Sequence, residues 1–188
     1  MKIIFLDHDG VICLSDQFGT REKKGTKYLK KNPDLTFNNL PFNCRVDNFD
    51  KKAVKVLNSI LEETEAEIVV SSDWKLHGSL EEIQDFYTEQ GIIKKPIGFT
   101  TDLWRKGEQS TFSGESLEEN RIREINNWLN EHQGITHWVA IDDLDMGEKF
   151  GEITGNSNGG LRNFVLTPKE REGIKQSGKK EKILSFLL

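Results

Sequence analysis

Short apolar runs alternate along the chain with longer stretches whose apolar residues recur every three or four positions. "KIIFLD" (2–7) is β-branched and aromatic, which suits a strand buried on both faces. "DKKAVKVLNSILEE" (50–63) sets Ala53, Val54, Val56, Leu57, Ile60 and Leu61 near helical spacing, and "AEIVVSS" (66–72) follows as a second buried strand. "SLEEIQDFYTEQG" predicts a helix with Ser79 as N-cap, Glu82 three residues later and Gly91 as its stop. "KPIGF" predicts a short strand, and "SLEENRIREINNWLNEHQG" a longer helix with Ile122, Ile125, Trp128 and Leu129 on one face and Gly134 as its stop. "HWVAIDD" (137–143) and "NFVLT" (163–167) supply two further strands. This alternation predicts an α/β fold, a doubly wound, Rossmann-like parallel sheet covered by helices on both sides.

Residues 14–49 break the rhythm. They hold Gly19, Gly25, Pro33 and Pro41, the basic run "REKKGTKYLKK", and the aromatics Phe18, Tyr28, Phe37, Phe42 and Phe49. A connection this long is a lid or binding element more often than a bare loop. We read it as a small cap inserted after the first strand of a single domain spanning 1–188. The alternative, a disordered surface insertion, sits poorly with five aromatics.

Composition narrows the class. At 188 residues, with 35% hydrophobic and 30% charged residues, the chain has the make-up of an ordinary soluble domain. No apolar stretch approaches the roughly 20 residues of a bilayer crossing, and the acids inside the first apolar run do not suit a signal peptide. Two cysteines, Cys13 and Cys44, are too few for a disulfide framework, so the reading is a reducing, cytoplasmic setting without a membrane partner. A net charge of −5 gives no general attraction to nucleic acid, so any polyanion site has to be local.

The candidate chemistry follows from the strand ends. Ligands of open parallel sheets bind beyond the carboxyl ends of the strands. There the chain places Asp7 and Asp9, then Ser71 and Ser72, then Asp142 and Asp143. Two carboxylates one residue apart at the end of a buried strand repel each other unless a cation lies beside them. Oxygen ligands from separate strands suit a hard cation, and Mg²⁺ is the usual choice where substrate phosphate completes the shell.

These residues also resemble a known family. "FLDHDGVI" looks like the first motif of the haloacid dehalogenase (HAD) superfamily of phosphotransferases, an apolar strand ending in DxDG. "IVVSS" resembles its second motif and "VAIDD" its fourth. Arg121 in "RIREINNWL" is the best match to the third, a basic residue near a helix start, with Lys75, Arg105 and Lys106 as competitors. The pattern "SSDWK", "PIGFTTDL", R-x-x-E-I-x-x-W-L, "WVAIDD" and "FVLTPKEREGI" is similar to the HAD domains of multidomain RNA-repair proteins.

The resemblance implies a Mg²⁺-dependent phosphatase acting through an aspartyl-phosphate. Asp7 would be the nucleophile and Asp9 the general acid and base. Ser71, assisted by Ser72, would bind the phosphoryl oxygens, and Arg121 would neutralise charge on the phosphoryl group and Asp7. Gly10 would let the chain turn, and Lys75 joins the candidate phosphate ligands. The metal set would be Asp7, Asp9 through its carbonyl, Asp142, and Asp143 directly or through water. His8 receives no catalytic role, Trp74 and Trp128 read as packing, and Cys13 as a small buried hydrophobe.

For substrate, the resemblance points to a phosphate at a nucleic-acid end, such as a 3′-phosphate. The alternative is a nucleotide or other small phosphomonoester. A catalytically inactive phosphate- or partner-binding module is the reading from a different class. Lys27 and Tyr28, in the basic run, are candidate contacts to nucleic-acid phosphates and bases. Other motifs fail: "GTREKKGT" lacks the P-loop lysine, "DDLDMGEKFGE" falls out of register as a calcium loop, and His132 and His137 lack cysteines to make a zinc site.

Overall fold

Ile3, Ile4, Phe5 and Leu6 are all fully buried, because the strand they form is the middle of a sheet with helices against both faces. The computed structural model describes residues 1–101, 116–148 and 159–188. Arg105, Lys106 and the later part of "DDLDMGEKFGE" lie outside them. Strands β1 (Lys2–Leu6), β2 (Glu67–Val70), β3 (Gly98–Phe99), β4 (His137–Asp142) and β5 (Phe164–Leu166) form one sheet in the order β3-β2-β1-β4-β5. Every neighbouring pair is parallel. The chain runs outward from β1 to one edge, then returns to the other side of β1. This reversal places the switch point between β1 and β4, where ligands of such sheets bind.

The helices among the described residues are α1 (Thr20–Lys31), α2 (Phe42–Arg45), α3 (Lys51–Thr64), α4 (Leu80–Glu89), α5 (Leu117–Glu131) and α6 (Lys179–Leu187). Side chains alternate across the sheet. Ile4, Leu6, Ile68, Val70, Val139 and Ile141 share one apolar cluster with Leu57 and Ile60 of α3, Ile83 and Phe86 of α4, and Ile183 and Leu187 of α6. Ile3, Phe5, Val69 and Ala140 point the other way, onto Ile122, Ile125 and Trp128 of α5. Phe5 meets Trp128 edge to face at 5.3 Å. Burying each such large side chain stabilises the fold by about 1.5–3 kcal/mol.

Local signals set the helix starts. Asp50 caps α3 by accepting from the Lys52 and Ala53 amides, and Ser79 with Glu82, and Ser116 with Glu119, form reciprocal capping boxes on α4 and α5. α5 ends at Glu131 rather than running on to Gly134, which takes a left-handed conformation just beyond it.

The stretch 14–49 contains α1 and α2 with two short 3₁₀ turns, Ser15–Gln17 and Phe37–Asn39. α1 was not predicted, and Gly25 is its single buried residue. A Cβ at Gly25 would lie 3.2 Å from a Leu40 methyl, so glycine permits the close approach. Asp47 serves the start of α1 from outside, accepting from the Arg21 amide at 2.8 Å and the Thr20 hydroxyl at 3.1 Å. Phe42 then packs on Phe86 of α4 at 5.6 Å, and Lys24 spans to the Val46 carbonyl and Asn48.

Candidate active site

The sheet's hydrogen bonding runs one residue past the strands and presents the key side chains. The Asp7 amide donates to the Ile141 carbonyl at 3.0 Å, Ser71 to Leu6 at 2.9 Å, and Thr167 to Asp142 at 2.9 Å. Asp7, Ser71, Asp142 and Thr167 therefore stand side by side at the carboxyl ends of β1, β2, β4 and β5. Beyond Asp7 the chain folds back at once: the His8 carbonyl accepts from the amides of Val11, Ile12 and Cys13. Gly10 makes that turn with φ +69°, and a Cβ there would lie 2.5 Å from Oδ2 of Asp143. The Gly10 carbonyl is held by the Thr167 hydroxyl at 3.1 Å.

One guanidinium ties the cluster together. Arg121, buried in the first turns of α5, donates from one terminal nitrogen to Asp7 at 3.2 Å and Asp142 at 3.0 Å, and from the other to Asp73 at 3.0 Å. Lys75 is also buried, but its ammonium is taken up by Glu124 and by the Thr100 hydroxyl at 3.0 Å. Of these two candidates for the basic role, Arg121 is the one in contact with Asp7.

The carboxylates outnumber their cation. Asp7, Asp142 and Asp143 each bring an oxygen within 4.8 Å of the others. Burial pushes the Asp7 pKa well above the usual carboxylate range, and Asp142 adds to this while Arg121 opposes it. Asp142 is pushed up to about 6 by burial, against the pull of Arg121 and the Leu144 amide. Asp143 is raised by burial as well. An all-oxygen donor set short of positive charge fits a hard divalent cation such as Mg²⁺. Beside it the Ser71 hydroxyl is buried without a hydrogen-bond partner among the described residues, an arrangement suited to an incoming acceptor atom such as a phosphoryl oxygen. Ser72 instead caps the 3₁₀ turn Asp73–Leu76, accepting from the Trp74 amide.

Asp9, by contrast, is exposed, and its carboxylate is held by the Trp74 indole N–H at 2.9 Å. Trp74 belongs to an aromatic box: it stacks on Phe49 at 5.3 Å and meets the His8 ring edge-on at 4.6 Å. His8, fully buried, is bonded through Nε2 to the Tyr87 hydroxyl at 2.7 Å.

Lys27 and Tyr28 lie on α1, and no described contact joins them to the acidic cluster. Lys27 is exposed and Tyr28 half-buried. Sequence reasoning passed over Trp74 as packing and did not consider Asp73, Thr100, Glu124 or Thr167. Two of these carried a signal: Thr167 ends an apolar strand as Ser71 does, and Glu124 is an acid between the buried Ile122 and Ile125. Trp74 and Thr100 carried none, because their partners are distant in the chain.

A family model described as the HAD domain in Swiss Army Knife RNA repair proteins matches residues 3–177. No curated protein and no solved structure matches the chain.

Proposed function

Because this chain belongs to the HAD domains of Swiss Army Knife RNA repair proteins, and so is of the HAD phosphatase type, we propose that it hydrolyses a phosphate at a nucleic-acid end, such as a 3′-phosphate, through an aspartyl-phosphate on Asp7. The observation that carries the reading is the buried Ser71 hydroxyl, without a hydrogen-bond partner among the described residues, beside the Asp7–Arg121–Asp142 cluster.

Asp7 attacks phosphorus as the bond to the leaving oxygen breaks, and Asp9 donates its proton to that oxygen. Asp9, now a carboxylate, takes a proton from a water molecule, which attacks the phosphoenzyme, releases phosphate and restores Asp7. Ser71 donates a hydrogen bond to a phosphoryl oxygen. Burial disfavours the charged guanidinium of Arg121, but Asp7 and Asp142 outweigh it and raise its pKa, so it stays charged and offsets the phosphoryl group throughout. Mg²⁺ would be held by the carboxylates of Asp7, Asp142 and Asp143 with the Asp9 carbonyl, and when bound it offsets the repulsion among these acids and the substrate phosphate.

The nucleic-acid part of the reading is supported by α1. Its Lys24 and Arg21 are engaged with Asn48 and Asp47, whereas Lys23, Lys27, Lys30 and Lys31 line one face, beside the single acid Glu22, with no ion-pair partner among the described residues.

The test is hydrolysis of a 3′-phosphorylated oligonucleotide with and without Mg²⁺. Turnover should require the ion, a ³²P label should be trapped on the protein after acid quench, and Asp7→Asn should abolish both. Undiminished turnover by Asp7→Asn, or full activity in excess chelator, would overturn the mechanism.

A further inference from the structure

A general acid on an exposed residue has to be aimed. Asp9 is exposed, so nothing in its own burial fixes the carboxylate over the reaction centre. Its partner is the opposite in character. Trp74 is only 5% exposed, its ring stacked on Phe49 with planes 18° apart, edge-on to His8, and 6.0 Å from Phe86. His8 is in turn locked by the Tyr87 hydroxyl, and Phe49 by edge contacts to Phe86 and Tyr87. A donor fixed by several packed rings imposes its direction on an exposed acceptor.

We propose that Trp74 is a positioning residue that aims the Asp9 carboxyl at the leaving oxygen, through the indole N–H bond to Oδ2 and the Phe49–His8 packing that holds the indole. The proposal rests on the assignment of Asp9 as general acid. The bond engages Oδ2 and directs the other oxygen, Oδ1, to carry the transferred proton. Because Phe49 closes the inserted stretch after β1, that insert holds the indole and, through it, the acid.

The distinguishing quantity is the dependence on leaving group, read in kcat/KM, which covers only steps up to release of the alcohol. An alkyl phosphate requires a protonated leaving oxygen, whereas 4-nitrophenol leaves readily as an anion. A merely structural loss lowers both substrates by the same factor. Trp74→Phe keeps the ring and removes the N–H, and benzothienylalanine at position 74 does so with almost the indole's own shape. Either should lower kcat/KM for an alkyl phosphate about tenfold or more beyond its effect on 4-nitrophenyl phosphate. Asp9→Ala should show the same bias more strongly.

The bond is also readable without turnover, since the Trp74 indole N–H resonance of ¹⁵N-labelled protein should shift in Asp9→Ala. An unshifted resonance overturns the proposal. So does an equal loss on both esters in the position-74 variants while Asp9→Ala retains its bias. If Asp9→Ala itself lacks the bias, or the unsubstituted protein hydrolyses neither ester, the catalytic assignment falls first and the aiming role falls with it.

Discussion

His8 lies between two candidate catalytic acids, yet its ring is sealed in the aromatic box with Nδ1 unbonded among the described residues. Burial pushes its pKa down to about 3 from 6.5, and the Arg121 guanidinium adds to the shift. Between those values the unfolded chain binds a proton that the folded one refuses. The His8 contribution to stability is therefore complete above pH 6.5 and is lost as pH falls, at up to about 1.4 kcal/mol per unit. The raised carboxylates act in the opposite sense, so the contribution has to be isolated by difference. Urea midpoints of the native protein and His8→Gln should converge as pH drops from 6.5 to 5, and a constant gap across that range would refute the assignment.

The turn after β1 is where an element and the site share one constraint. Gly10→Ala has to force a side chain into φ +69° and against the Asp143 carboxyl. The backbone alone costs about 1–2 kcal/mol, and displacement of Asp143 should reduce turnover beyond what the lost stability explains. Urea unfolding paired with kcat measured well below the transition checks both parts; full activity in a folded Gly10→Ala would show that Asp143 is free to move.

Element by element, legibility followed burial. β1 and β4 were readable because burial on both faces leaves an uninterrupted apolar run, and α3 because five of its residues from Ala53 to Leu61 repeat toward the sheet. α1 was not, since a helix that buries only Gly25 has no apolar period to read. α6 seats Ile183 and Leu187, and two positions are too few for a period to stand out. At the site, the acids and Ser71 were visible as polar ends of buried strands. The bond from Trp74 to Asp9 spans 65 residues, a separation that no local pattern encodes, and the one from Arg121 to Asp7, across 114, was reachable only through the family resemblance.

At the scale of the whole molecule, charge is unevenly placed. The chain carries −5 overall, while one face of α1 presents Lys23, Lys27, Lys30 and Lys31. If that face follows a single strand, kcat/KM for a 3′-phosphorylated oligonucleotide should exceed that for a 3′-mononucleotide and fall with salt. Replacing Lys27, Lys30 and Lys31 together by Ala should flatten the log-log salt slope by about 2, at about 0.7 per neutralised phosphate, and spare a small aryl phosphate. Equal processing of mononucleotide and oligomer at every salt concentration would leave a small phosphomonoester as the substrate.

The strand order has a further consequence, for how the site comes into being. β1 is central, yet its partner β4 is made more than a hundred residues later, and long-range pairings of this kind form late and slowly. As the polypeptide emerges from the ribosome, Asp7 comes out first, Arg121 next and Asp142 after it. Arg121, which bonds both buried acids in the folded protein, is thus synthesised before the second of them, so its guanidinium is available when β4 brings Asp142 beside Asp7.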